Sequence, residues 1–174
     1  MEKILIVRIG EGLGNQLFMY ANAYCLSKKF DYILYIDDES GFSKNRRSRS
    51  YNLNLFNFQE KICPENLKFN NSFKDLKRKY LKFIDNFMLD KKFITEKIDN
   101  NKLTQFEEIS KLKSIQIFVE GHYESELYFK DYETDLKKNI KIKYNLIDHN
   151  NPFIDQIKRS NSVSIHLRKN RFSE

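Results

Sequence analysis

The sequence predicts an α/β fold with a Rossmann-like parallel sheet and flanking helices, and three observations near its start carry that expectation. Lys3 to Ile9, rich in Ile, Leu and Val, reads as a short buried strand, and Gly10, Gly12 and Gly14 break it. From Gln16 to Lys28 the apolar residues recur mostly at three and four, the spacing of a helix face. A second apolar segment, Tyr32 to Ile36, ends at Asp37 and Asp38. Strand, glycine turn, helix and strand make a β-α-β unit, and its two strands are expected to run parallel.

Further along, Ser43 to Ser50 is polar and basic and reads as a surface loop. Between Phe73 and Leu89, the apolar residues Leu76, Tyr80, Phe83, Ile84, Phe87 and Met88 keep helical spacing with lysines between them, which predicts an amphipathic helix with a basic face. Ser114 to Val119 reads as a third buried strand. Ser125 is placed to cap a helix after it. Asn151 followed by Pro152 is a helix start running to about Arg159, and Ser162 to Leu167 reads as a last strand.

Composition narrows the function classes. The 174 residues hold 31 basic and 24 acidic side chains, and 25 aromatics (15 Phe, 10 Tyr) supply material for a core. The apolar run near the N-terminus, Ile4 to Val7, is far below the roughly 20 residues of a spanning helix, and no charged start leads into a signal core. Cys25 and Cys63 show neither CxxC nor His-bearing ligand spacing, which argues against a disulfide framework and a zinc site and for a reducing cytoplasm. Residues 41–106 carry 15 basic against 7 acidic groups, more than the whole net charge of +7. Such a stretch attracts phosphate-bearing partners, whether nucleic acid, anionic lipid or nucleotide, or is simply a solvated lysine-rich surface.

Two segments carry candidate chemistry. Gly10 to Phe18 (GEGLGNQLF) places glycines between a strand and a helix, where backbone can approach a ligand and free N–H groups meet an anion; this suits a phosphate or a nucleotide sugar. It is neither a P-loop nor a complete GxGxxG. His166 to Arg171 stands at the end of the last expected strand, and alternation puts His166 and Arg168 on one face, able to grip a diphosphate. Asp37 and Asp38 read as a metal site, a general base or, more commonly, turn caps. His122, Tyr123 and Glu124 after Gly121 read as acid–base groups or a surface turn, and His149 as solvated. GxSxG, HExxH and paired-cysteine motifs are absent.

Three segments together resemble the α-1,2-fucosyltransferases of glycosyltransferase family 11, chiefly the bacterial members. Ile9 to Tyr24 (IGEGLGNQLFMYANAY) resembles that family's G-G-L-G-N-Q-L-F-Q-Y-A opening, with Glu11 and Met19 as departures. Val119 to Tyr132 (VEGHYESELYFKDY) is similar to its G-Y-W-Q-S-x-x-Y-F segment. Ser162 to Glu174 (SVSIHLRKNRFSE) resembles its S-V-S-I-H-x-R-R-G-D-Y signature, with Lys169 for the second Arg and Asn170-Arg171 for Gly-Asp.

The resemblance implies the first domain of a GT-B-like glycosyltransferase over residues 1–160, with residues 161–174 opening a truncated second, GDP-sugar-binding domain. It implies transfer of L-fucose from GDP-β-L-fucose to the 2-hydroxyl of a galactose-type acceptor, with inversion and without a cofactor or an obligatory metal. Arg168 and His166 take the catalytic positions; Gly12, Gly14, Asn15, Gln16, Arg168 and Lys169 take the donor-binding ones; no residue is nominated as the general base. The expected setting is bacterial surface-glycan or O-antigen synthesis on a glycan acceptor that can be lipid-linked, at the inner face of the membrane with peripheral contact to anionic lipid. The competing readings are a non-catalytic remnant of such an enzyme and a basic nucleic-acid-binding domain. No helix-turn-helix, RNP or zinc-finger pattern supports the latter.

Overall fold

The computed structural model describes residues 2–43, 49–59, 61–87, 91–96, 104–112, 114–146 and 151–165. Five strands form one sheet: β1 (Ile4–Arg8), β2 (Ile33–Asp37), β3 (Lys61–Ile62), β4 (Lys91–Thr95) and β5 (Gln116–Glu120). Their order is β3-β2-β1-β5-β4, and every neighbouring pair is parallel. The helices are α1 (Leu13–Phe30), α2 (Ser72–Phe83), α3 (Thr104–Ser110), α4 (Glu133–Asn139) and α5 (Pro152–Lys158). The chain divides into two compact units, Met1–Lys141 and Ile142–Glu174, and the sheet belongs wholly to the first.

Strand order dictates where the helices go. The steps β1 to β2 and β4 to β5 cross the sheet in one direction and β3 to β4 in the other, so right-handed crossovers put α1 and α3 on one face and α2 on the opposite face. Side-chain alternation agrees. Leu5, Val7 and Ile9 join Ile36, Ile94, Ile117 and Val119 beneath α1, with Ile109 of α3 in the same cluster. Ile6, Phe93 and Phe118 face the other way with Cys63 and Phe69, and Leu81 of α2 packs against them. Phe93 and Phe118 stack with ring centroids 4.7 Å apart. Every residue of β5 is buried, as expected for a strand covered on both faces.

The first β-α-β unit forms as its sequence predicts, with Ile4 opposite Ile33 and Val7 opposite Ile36 in parallel register. Helix α1 starts earlier than its spacing indicates, inside the glycine segment, with Gly12 as N-cap. Asn151 caps α5 by accepting from the Phe153 N–H. Ser125 is a cap too, accepting from the Leu127 N–H, but it opens only a short helical turn, Glu126–Tyr128, and α4 follows later. One expectation fails over the residues described: the last strand, read from Ser162 to Leu167, has no sheet pairing through Ile165. Val163 and Ile165 remain exposed, because an extended segment becomes a strand only when a neighbour takes its backbone N–H and C=O groups.

Helix α2 begins where the periodicity puts it but ends at Phe83, short of the expected run toward Leu89, with a separate helical turn at Asp85–Phe87, and it buries the charged side. Asp75 is buried, Arg78 and Lys82 reach Glu120 at the end of β5, and Phe73, Leu76, Tyr80 and Phe83 stand outward with Phe87 of the following turn. Turning the helix over would leave the buried Glu120 carboxylate without its partners, a loss of about 3–5 kcal/mol. The outward stripe in turn forgoes about 1.5–3 kcal/mol of burial for each large side chain. Among the described residues no helix is long and apolar enough to cross a membrane.

Where β1 leaves the sheet, Ile9 lies against the backbone of Gly41, and a Cβ at Gly41 would sit 1.9 Å from the Ile9 carbonyl oxygen. Gly41→Ala therefore forces two backbones apart and is expected to lower the free energy of unfolding by about 2–3 kcal/mol. Urea denaturation followed by circular dichroism measures it; an unchanged midpoint would mean that the two segments do not touch in solution.

Candidate functional site

Strands β1 and β5 are neighbours, so the turns that follow them share one edge of the sheet. The strand order reverses at β1, with β2 and β3 on one side and β5 and β4 on the other. Ligands of open α/β sheets bind outside the carboxyl ends of strands near such a reversal.

The glycine turn gives α1 an open N-terminus. The first helical bond runs from the Gln16 N–H to the Gly12 carbonyl at 3.0 Å, which leaves the N–H groups of Leu13, Gly14 and Asn15 outside the helical ladder. Gly12 offers no side-chain cap, and no acidic residue stands in the first turn. A Cβ at Gly14 would meet nothing within 4 Å, so that backbone is approachable from outside. Unpaired N–H groups and the positive helix end make this place suited to an anion.

Glu11 lies in the left-handed region, φ 63°, where a non-glycine residue costs about 1 kcal/mol. It pairs with Arg49. Gln16 holds the turn from inside: fully buried, its amide nitrogen donates to the Glu11 carbonyl at 3.0 Å and the Ser50 carbonyl at 2.9 Å. Its amide oxygen accepts from the Asn52 N–H at 2.9 Å. The Gln16 amide is thus consumed in fixing the turn and the 50–52 segment. Asn15 points to the rim and donates through Nδ2 to Glu124 Oε1 at 2.9 Å, joining the turn after β1 to the turn after β5.

The β5 turn is equally constrained. A Cβ at Gly121 would fall 2.4 Å from Cβ of Glu96 and 2.9 Å from the Tyr123 ring. Tyr123 takes φ 55°, is fully buried, and donates its hydroxyl to the Glu120 carbonyl at 3.1 Å. Burial pushes its phenol well above the ordinary range, so it stays a donor. His122 is exposed, and its backbone N–H donates to the Glu96 carboxylate at 2.8 Å.

Beneath these turns, on the α2 face, lies a charged cluster. Arg78 Nη1 donates to both Glu120 oxygens at 2.8 Å, and its Nη2 donates to Asp75 at 2.9 Å. Lys82 reaches Glu120 at 2.8 Å and Thr95 at 3.0 Å. Arg8, at the end of β1, donates to the Ser40 carbonyl at 2.8 Å. Burial works to raise the Glu120 pKa, but the Lys82 hydrogen bond and the Arg78 charge outweigh it and hold the carboxyl below its usual value.

Asp37 caps the turn after β2, accepting from the N–H groups of Glu39 and Ser40. Asp38, Glu39 and Glu65 surround the buried Lys68 ammonium at 2.8, 2.5 and 3.1 Å. The described residues offer no group of three or more His, Cys, Asp or Glu placed to hold a metal. Both cysteines are free; burial pushes Cys25 up to about 11 and Cys63 up to about 12, so each stays a neutral thiol near pH 7. Two hollows of about 570 and 400 Å³ run along α1, and neither is lined by Gly12, Gly14 or Asn15. The edge that carries the glycine turn is open.

Of the residues singled out from sequence, the fold brings Gly12, Gly14 and Asn15 to this edge beside Glu124 and sets Gln16 behind them. His166, Arg168, Lys169 and His149 lie outside the described residues. Sequence reasoning missed Glu96, Arg78 and Lys82, whose partners stand on distant elements and leave no local signal.

No protein-family model matches the chain, and no curated protein matches it. Among solved structures it is similar to an Arabidopsis thaliana FUT1 mutant in complex with GDP, with 16% identity and a TM-score of 0.40 over 75% of this chain. The chain spans 32% of the length of that protein.

Gly14→Ala meets no steric obstacle and is expected to stabilise the protein by about 0.5–1 kcal/mol, the usual gain of alanine over glycine in a helix; thermal denaturation would show destabilisation instead if the position were packed. The depressed Glu120 pKa means that the unfolded chain binds the proton more tightly. Its contribution is therefore complete above the ordinary carboxyl pKa of 4.5 and is lost as the pH falls through the lower folded value. Glu120→Gln should reduce stability at pH 7 by about 3 kcal/mol or more and flatten the acid limb of a stability-against-pH curve. An acid limb as steep as in the wild type would place the titrating group elsewhere.

Proposed function

We propose that this chain is the N-terminal domain of a GT-B-like glycosyltransferase that moves L-fucose from GDP-β-L-fucose to the 2-hydroxyl of a galactose-type acceptor with inversion. One observation carries the reading: the segments Ile9 to Tyr24 and Val119 to Tyr132, two of the three that together resemble the fucosyltransferase family, begin at the carboxyl ends of the adjacent strands β1 and β5 and are joined by the Asn15–Glu124 hydrogen bond. Parts that are distant in sequence meet at the edge where an α/β sheet binds ligands.

The chemistry asks for what this edge offers. Breaking the bond between fucose and phosphate builds positive charge on the sugar ring and negative charge on the departing GDP. Groups fixed in advance around the diphosphate stabilise that charge without reorganising. The N–H groups of Leu13, Gly14 and Asn15 meet one side of the donor, and the Asn15 amide fixes its place through Glu124. By the family resemblance Arg168, which follows His166 and precedes Lys169 in the sequence, is the cation assigned to the diphosphate. Its planar guanidinium takes two phosphate oxygens at once, which an ammonium does not. Gln16 serves as a positioning residue, since its amide is spent on Glu11, Ser50 and Asn52. No metal is assigned a role.

The test is donor kinetics, with galactose-terminated acceptors and release of GDP as readout, in a protein that carries this chain together with its donor-binding domain. Arg168→Ala is expected to cost about 3 kcal/mol or more of transition-state stabilisation. Arg168→Lys should fall between that variant and the wild type, and Lys169→Ala should cost less than either. A well-folded Arg168→Ala protein with near-normal turnover and GDP-fucose affinity would overturn the assignment.

A further inference from the structure

Helix α2 presents to the outside a stripe that would ordinarily be core. Phe73, Leu76, Tyr80, Phe83 and Phe87 follow one another at alternating steps of three and four, the spacing of a single helix face. Phe73, Phe83 and Phe87 are 79%, 84% and 88% exposed. The opposite face is committed inward through Asp75, Arg78 and Lys82, so the helix cannot roll to hide the stripe without breaking the Glu120 cluster. Lys77 and Lys79 flank the stripe on its two sides and stand exposed, Lys79 with its ammonium 3.9 Å from the buried Asp75 carboxylate. The two carboxylates between Ser72 and Phe87, Asp75 and Asp85, are both buried, so the outward surface is apolar and cationic with no acidic group.

We infer that α2 and the turn after it bind the surface of an anionic lipid bilayer. The five apolar side chains seat at the boundary of headgroups and acyl chains, and Lys77 and Lys79 extend to the lipid phosphates. Amphipathic helices with aromatic and leucine residues on one side and lysines at the margins bind membranes in this way, lying in the interface plane. A second copy of the chain is the poorer occupant. Read as heptads, the stripe fills the two seam positions, and the charged residues at the flanking positions, Lys77 and Lys79, are both cations where paired helices need opposite charges. This inference stands without the proposed transfer reaction.

The experiment uses the whole 174-residue chain and two sets of vesicles, phosphatidylcholine alone and equal parts of phosphatidylcholine and phosphatidylglycerol, with sedimentation as readout. The chain should partition onto the anionic vesicles and much less onto the neutral ones, and added salt should weaken that binding. Phe83→Ser together with Phe73→Ser should lower the partition coefficient about tenfold or more, and Lys77→Gln together with Lys79→Gln about tenfold. Both pairs lie on the exposed face, and circular dichroism checks that they keep the fold. Equal binding to both vesicle types, or binding unchanged by either pair of substitutions, would overturn the inference. So would a dimer in sedimentation velocity without lipid that Phe83→Ser abolishes, since the second copy would then be the occupant. A monomer that ignores anionic vesicles would also overturn it and point to an acidic protein partner.

Discussion

The buried Glu120 carboxylate is the contact on which the arrangement turns. It closes β5, the strand beside β1, and takes Arg78 and Lys82 from α2 at 2.8 Å each. A carboxylate so enclosed must be met by cations, and Arg78 and Lys82, on the inward side of α2, meet it. That single requirement orients the helix, exposes its aromatic stripe and ties the α2 face to the end of the sheet. The same residue receives the Tyr123 hydroxyl on its carbonyl, so the cluster also anchors the turn that follows β5.

The edge above the cluster is rigid where it is internal and open where a ligand would approach. Gln16, buried among backbone groups, fixes the glycine turn against residues 50–52, and the contact of Gly41 with Ile9 fixes it against the turn after β2. Glu11 and Tyr123 both hold left-handed backbone at this edge, one in each of the two turns. Local strain of this kind persists only where surrounding contacts impose it, and it gathers at sites that bind. At Glu11 the left-handed backbone, φ 63°, is accompanied by an ion pair to Arg49.

Elements whose own residues decide their structure were legible in the sequence. Strands β1, β2 and β5 are apolar runs, α1 follows a glycine turn, and Asn151-Pro152 opens α5 as capping chemistry requires. Strand β3 has two paired residues, and β4 begins with two lysines; each exists because a neighbouring strand takes its backbone, which no local pattern reveals. Helix α2 was legible in place but not in orientation, since amphipathic spacing does not say which face a buried carboxylate will claim. At the site, the glycines and Asn15 were legible by residue type, whereas the part of Gln16 and the Asn15–Glu124 bond depend on strand order.

The central claim is that the turns after β1 and β5 form one face of a nucleotide-sugar site. Titrating GDP-β-L-fucose into the isotopically labelled chain, and following each backbone amide by NMR, tests it most directly. Shifts are expected at Leu13, Gly14 and Asn15 together with His122 to Ser125, even where affinity is weak. Shifts confined to the lysines of α2, with both turns unmoved, would contradict it.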